Sequence, residues 1–198
     1  MPTLTEPAIA ALLTPYLDPP PAILPELSLY LDLLLKWNAR TNLTAIRDPE
    51  EIVRRHFGES LFAARHLTPA TRTLLDFGSG AGFPGLPIAI LCPDIQVTLA
   101  ESQNKKATFL REAVRTLDLK TEVWPSRVES IPPSRQFDAV TLRAVDKMET
   151  ALPAAKARIR LGGQLIVLTT ASQAPPEGQL IPLPQSSVGV LYLQAALL

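Results

Sequence analysis

Cysteine is almost missing from this chain: Cys92 is the single one in 198 residues. One thiol excludes a disulfide framework and any zinc site built on several cysteines. It stands in Ile90-Leu91-Cys92-Pro93, at the end of an apolar helix-like run, where a buried, inert thiol is expected. A long apolar span is missing too, as is the basic-then-apolar opening of a secretion signal. The apolar start, Ile9 to Leu13, is short and has no basic flank. These absences predict a soluble, cytoplasmic protein with no membrane partner. Basic residues are absent from both ends. Residues 1–35 hold no Lys or Arg and four acids, and residues 161–198 hold none and one acid, Glu177. All 19 basic residues therefore fall between 36 and 160, against 14 acids, beneath a formal net charge of zero. Such a layout is compatible with nucleic-acid binding without requiring it.

A length of 198 residues with 46 % hydrophobic content suits one α/β domain with a small extension. The most informative stretch is Thr73-Leu-Leu-Asp-Phe-Gly-Ser-Gly-Ala-Gly-Phe-Pro-Gly85. An apolar run ends in Asp76, glycines follow at 78, 80 and 82, and an apolar helical segment, Leu86 to Leu91, comes next. That order reads as strand, glycine turn, helix, the first unit of a nucleotide-binding α/β domain. The pattern G-x-G-x-x-G occurs as Gly80-Ala-Gly82-Phe-Pro-Gly85, but this register is misplaced for a dinucleotide. Gly78 already occupies the strand end, and Pro84 has no amide to offer a pyrophosphate. The better register, Asp76-x-Gly78-x-Gly80-x-Gly82, resembles the first motif of S-adenosylmethionine-dependent methyltransferases, whose ligand carries no phosphate. A second acid agrees. Residues 95–100 read as strand two and end at Glu101, where a carboxylate suits a ribose's two hydroxyls. The rival reading of the glycines is an ordinary tight turn.

Along the chain, the prolines of residues 1–25 predict a short helix and a loop. Leu27, Tyr30, Leu31, Leu34 and Leu35 recur at helical spacing over Glu26 to Asn38. Asp48 and Pro49 predict a helix start, with Glu50 and Glu51 favouring its positive end and the helix running to about Arg65. After the glycine turn the pattern predicts a charged helix over Asn104 to Leu117, strand three near Glu122 to Trp124 and strand four over Phe137 to Leu142. A helix over roughly Thr150 to Leu161 and strand five over Gln164 to Thr169 follow. Alternation of strands and helices implies a doubly wound, mostly parallel sheet. The division expected is an N-terminal helical extension, 1–66, and an S-adenosylmethionine-binding domain, 67–198.

Further blocks narrow the family. Lys36-Trp37-Asn38-Ala39-Arg40-Thr41-Asn42-Leu43-Thr44, Arg47-Asp48-Pro49, Arg55-His56 and Glu59-Ser60 precede the glycine turn. Glu101-Ser102 with Lys105 and Phe109, Ser126-Arg127-Val128-Glu129, and Leu142-Arg143-Ala144 follow it. Over residues 27–168 the chain resembles the bacterial small-subunit ribosomal RNA guanine-N7 methyltransferase family, also called glucose-inhibited division protein B. The resemblance implies a Rossmann-like class I methyltransferase fold, S-adenosyl-L-methionine as cofactor and no metal. Its implied partner is small-subunit ribosomal RNA or the assembled small subunit. The small interface capacity of a basic patch on one short domain makes a monomer the expectation.

Guanine N7 is a proton-free lone-pair acceptor on the base's major-groove edge, so its attack on a sulfonium methyl needs no general base. The enzyme must align donor and acceptor and stabilise a shifting positive charge. The competing chemistries leave no trace: Leu142-Arg143-Ala144 stands where adenine-N6 enzymes have an Asn/Asp-Pro-Pro-aromatic motif, and Cys92 lies on the wrong helix for a cytosine-C5 nucleophile.

By the resemblance, Asp76, Gly78 and Gly80 belong to the cofactor turn, Phe83 packs beside it, Glu101 takes the ribose, and Val128 with Glu129 meets the adenine. Arg143 holds the cofactor or meets RNA, and with Arg127 makes up the expected catalytic pair. The residues keep rival readings. Glu129 fits a solvated loop acid, Arg127 its ion-pair partner, and Arg143 a helix cap. Trp37 fits core or base-stacking platform, Asn42 a turn or RNA contact, and His56 a packed or catalytic histidine. Lys105, Lys106, Arg111 and Arg115 make a solvated face or an RNA phosphate track. Two departures favour an alternative, a non-catalytic or differently targeted S-adenosylmethionine-binding module. Thr169-Thr170 replaces the family's lysine and glycine after strand five, and the tail to Leu198 carries no cation.

Overall fold

The computed structural model describes residues 2–144 and 148–195. Its helices are α1 (Glu6–Leu13), α2 (Leu24–Thr41), α3 (Pro49–Glu51), α4 (Glu59–Ala64), α5 (Gly85–Leu91), α6 (Asn104–Thr116) and α7 (Met148–Lys156). Its strands are β1 (Thr73–Phe77), β2 (Gln96–Ala100), β3 (Glu122–Trp124), β4 (Phe137–Arg143), β5 (Ile159–Thr170), β6 (Gln179–Pro182) and β7 (Gly189–Ala195). They form one sheet in the order β3-β2-β1-β4-β5-β7-β6. The first five pair in parallel. β7 is antiparallel to both β5 and β6.

Both faces of the sheet are covered, which is why Leu74 and Leu75 stand side by side in β1 without a polar residue between them. Leu74 faces a core shared with Ile9, Leu27, Leu34, Leu86 and Phe109, so α1, α2, α5 and α6 share one cluster with the sheet. Leu75, one residue on, joins Val140, Leu142 and Ala155 of α7 on the opposite face. Trp37 packs into the first cluster, its ring 5.7 Å from that of Phe109. Asp48 caps α3 by accepting from the Glu51 amide at 2.9 Å, with Pro49 in the first turn. The helical rod then widens into a π-helical stretch, Ile52–Gly58, before α4.

Two segments differ from the sequence expectation. The helix expected to reach Leu161 stops at Lys156, and β5 begins at Ile159. Ile159 pairs with Phe137, after which the register jumps to Ala139 opposite Gln164. The extra residues make a bulge at Gly162-Gly163, where a Cβ on Gly163 would lie 2.7 Å from the Asp138 carbonyl oxygen. Helical periodicity over 150–161 concealed this because the bulge breaks the two-residue alternation. β6 and β7 are also new. Four prolines between 175 and 184 hide their pattern, and Pro182 is tolerated because β6 is the sheet's edge.

Candidate functional site

The site lies at the carboxyl ends of the parallel strands, where the chain turns from β1 to α5. Gly78 and Gly80 have φ of +69° and +58°, a left-handed turn that a side chain would strain. A Cβ on Gly78 would meet nothing within 4 Å, so the turn borders open space. Gly85 serves closeness instead: a Cβ there would lie 2.3 Å from Leu99 and 2.7 Å from Asp76 Oδ2.

Asp76 sits beneath this turn, 1 % exposed. The Thr141 hydroxyl donates to its Oδ1 at 2.9 Å and the Gly85 amide to its Oδ2 at 3.1 Å. Burial pushes its carboxyl up to about 6, against those donors. Glu101, at the end of β2, accepts from the Gly80 amide at 2.9 Å and the Gln103 amide at 2.7 Å. Each carboxylate oxygen keeps a further acceptor position. A nucleoside beside Gly78 with its sugar at Glu101 fits this geometry.

Val128 is buried in a 3₁₀ turn, Val128–Ser130, beyond β3, while the flanking Arg127 and Glu129 are exposed. Among the described residues, no ion pair joins Arg127 to Glu129. Lys105, Arg111 and Arg115 are exposed on α6 and Lys106 is half-buried.

The second half of the site was not legible as a unit. Arg143, at the end of β4, donates from Nη1 to His56 Nδ1 at 2.5 Å. From Nη2 it donates to Glu59 Oε2 at 2.7 Å and to the Arg55 carbonyl at 3.1 Å. His56 Nε2 lies 2.7 Å from the Thr44 hydroxyl. Burial, then Arg143 and Arg55, hold the imidazole down at about 2, so it stays neutral. His56 also lies flat on Phe83, centroids 4.6 Å apart. Phe83 packs in turn on Tyr30, whose hydroxyl donates to the Ala81 carbonyl at 2.5 Å. One aromatic stack thus joins the glycine turn to the Arg143 cluster.

The Lys36–Thr44 block explains itself here. α2 ends at Asn42, in the left-handed region. Asn38 Oδ1 accepts from the Thr44 amide at 3.0 Å, and Arg47 Nη2 donates to Asn42 Oδ1 at 2.5 Å. Asn42 therefore makes a turn bond, and the fold brings Thr44 to His56. Sequence reading gave no site role to Tyr30, Thr44 or Glu59, although Thr44 and Glu59 stood in quoted blocks and Tyr30 in the helical spacing of α2. A cavity of about 690 Å³ opens beside the cluster, lined by His56, Glu59 and Arg143 with Leu152, Leu168 and Thr169. Among the described residues, no group of three or more His, Cys, Asp or Glu is placed to hold a metal. No helix among them is long and apolar enough to cross a membrane.

A seven-stranded sheet with one antiparallel member, a glycine turn after β1 and an acid closing β2 define a Rossmann-like methyltransferase that uses S-adenosylmethionine. The family model for rRNA small subunit methyltransferase G matches residues 23–176, and the chain belongs to that family. It is 45 % identical over 148 residues to ribosomal RNA small subunit methyltransferase G of Stenotrophomonas maltophilia (strain K279a), covering 74 % of this chain and 69 % of the relative. To the protein of that name from Chloroflexus aggregans it is 43 % identical over 142 residues, covering 69 % of this chain and 60 % of the relative. Among solved structures, the fold is similar to a Thermus thermophilus 16S rRNA N2 G1207 methyltransferase in complex with AdoMet and guanosine. The TM-score is 0.54 at 21 % identity, over 69 % of this chain and 42 % of that one. The match to the family model ends short of the cation-free tail, whose residues 196–198 lie outside the described residues.

Proposed function

We propose that this protein transfers the methyl group of S-adenosylmethionine to N7 of a guanine in small-subunit ribosomal RNA. Family membership supports the RNA substrate and the cofactor. The observation that favours N7 is the engagement of His56: Arg143 occupies one ring nitrogen and Thr44 the other. The cluster therefore offers no free imidazole base, and N7 requires none because it carries no proton. A base amine would leave a proton to remove.

The cofactor, when bound, supplies an activated methyl group on sulfur. The chain's own residues bind and orient. Gly78 and Gly80 leave room for the methionine part, Phe83 backs it, and Asp76 holds the turn from below. Glu101 accepts the ribose hydroxyls, and Val128 with Glu129 flanks the adenine. Arg143 meets the RNA or the cofactor from a fixed orientation, and the exposed Arg127 approaches the RNA backbone. The buried carboxylate of Glu59 offsets the Arg143 charge and favours the positive charge that develops on a methylated guanine. In the same reading, residues 67–198 form the cofactor domain, and 1–66 form the helical extension that supplies Thr44, His56 and Glu59. The protein acts as a cytoplasmic monomer.

The test uses ribosomes from a strain lacking this methyl group. Free RNA and small subunits are incubated separately with the protein and methyl-labelled S-adenosylmethionine, and label is mapped by cleavage at 7-methylguanosine. Label at one guanine is the expected result. Label that resists this cleavage would move the reaction to another atom and overturn the N7 assignment.

A further inference from the structure

We propose that His56 is a positioning residue: its imidazole, accepting from Arg143, fixes the direction in which the guanidinium faces the cavity. The inference rests on the functional reading above only in giving Arg143 a role toward substrate.

The geometry leaves little freedom. An arginine cannot accept a hydrogen bond and does not lose its charge in a protein. Its partner Nδ1, 2.5 Å away, must therefore be the acceptor, and the ring proton must sit on Nε2. That proton points to the Thr44 hydroxyl at 2.7 Å. Thr44 is itself fixed, since its amide donates to Asn38 Oδ1 at 3.0 Å and its hydroxyl accepts from the Ile46 amide at 3.3 Å. Asn38 is 2 % exposed and belongs to α2. A chain of bonds thus runs Asn38, Thr44, His56, Arg143, from the extension to the tip of β4.

The groups around the ring agree. Arg143 comes from β4, Arg55 and Glu59 from the same helical rod, Thr44 from the loop after α2, and Phe83 from the glycine turn. Both charges that depress the imidazole, Arg143 and Arg55, are positive, and Glu59 is bonded to Arg143. A protonated His56 would put two cations in hydrogen-bond contact. Glu59 alone would hold the charge of Arg143 but leave the fork free to pivot about one carboxylate oxygen. His56 and the Arg55 carbonyl add the second and third points. Three acceptors fix the plane, and among the described residues the Arg143 Nε–H and one Nη1–H have no acceptor and can face a ligand. His56 also lies in the π-helical stretch, a deviation that occurs often at functional sites.

Two readouts test this. In the first, methyl transfer to ribosomal RNA is measured for His56→Leu, which has no acceptor, and His56→Asn, whose Oδ1 replaces Nδ1. Loss of a hydrogen bond to a charged group predicts a fall of roughly 10-fold or more in kcat for the leucine variant, with KM for S-adenosylmethionine little changed. The asparagine variant recovers most of kcat. Equal losses in both, or a change confined to KM, would overturn the proposal. The second readout needs no activity. Nitrogen-15 NMR of His56 should show an unprotonated Nδ1 and a protonated Nε2 that do not titrate between pH 5 and 8, and Arg143→Leu should shift the ring upward while burial still opposes its protonation. A wild-type ring titrating near its ordinary value would overturn the geometry directly. Wild-type protein that leaves ribosomal RNA unlabelled but passes the NMR test would sink the functional reading while the held arginine stands.

Discussion

The two halves of the site are built in opposite ways. On the glycine-turn side, Asp76 and Glu101 are carboxylates whose oxygens are taken mainly by backbone amides, at Gly85, Gly80 and Gln103. Their partners lie nine, 21 and two residues away in sequence. On the other side, Arg143 is held by side chains 87 and 84 residues away, on a different part of the fold. The buried titrating groups also respond oppositely. Burial disfavours charge in both, raising the acid Asp76 to about 6 and lowering the base His56 to about 2. A turn of amides makes a local frame around two carboxylates. A cluster of side chains from three elements makes an oriented cation, which depends on the whole fold.

The sharpest way to separate the halves is by function. Glu101→Ala should abolish S-adenosylmethionine binding in calorimetry. Arg143→Ala should leave measurable binding but lower kcat for methyl transfer by roughly 100-fold or more, the scale of a lost charge-stabilising donor. Equal effects of both on binding would merge the halves into one.

A second comparison lies within the glycine turn. Gly85→Ala drives a Cβ into Leu99 and Asp76 and should cost about 2–3 kcal/mol in urea unfolding. Gly78→Ala meets open space and strains only its φ of +69°, about 1 kcal/mol. Similar costs at both positions would mean that space does not distinguish them.

The smallest effect is in pH dependence. A base depressed in the folded state stabilises above its unfolded value near 6.5 and loses that contribution as pH falls. Between pH 6.5 and 5, His56 should therefore remove about 2 kcal/mol. An acid raised in the folded state works the other way. Asp76 penalises folding at neutral pH and relieves about 1 kcal/mol of that as pH falls from 6 to 5. From pH 6.5 to 5 the two nearly cancel, so the wild type should lose only about 0.5 kcal/mol net from these two groups. His56→Asn should gain stability on acidification, while Asp76→Asn should lose more than the wild type. Parallel curves for all three proteins would show that neither group is perturbed.

How much could be read in advance divides along the same line. The five parallel strands, the cap at Asp48 and the glycine turn were visible because each is written in residues adjacent in sequence. The start of β5 and the strands β6 and β7 were not, because a bulge at Gly162-Gly163 and a run of prolines erase the alternation that marks a strand. Arg143 and His56 were each singled out by their blocks, but not as partners of one another. An ion pair between Arg127 and Glu129 was a rival reading of their own block, and none joins them among the described residues.

Sequence by itself determined the class of this protein: apolar periodicity and glycine spacing are local constraints on the backbone, and they are satisfied wherever the chain goes. Only the tertiary structure decided that Asn38, Thr44, His56 and Glu59 converge on Arg143. A hydrogen bond has no memory of sequence distance. It forms because packing of α2, the π-helical stretch and β4 brings donor and acceptor within 3 Å, and that packing is a property of the whole core.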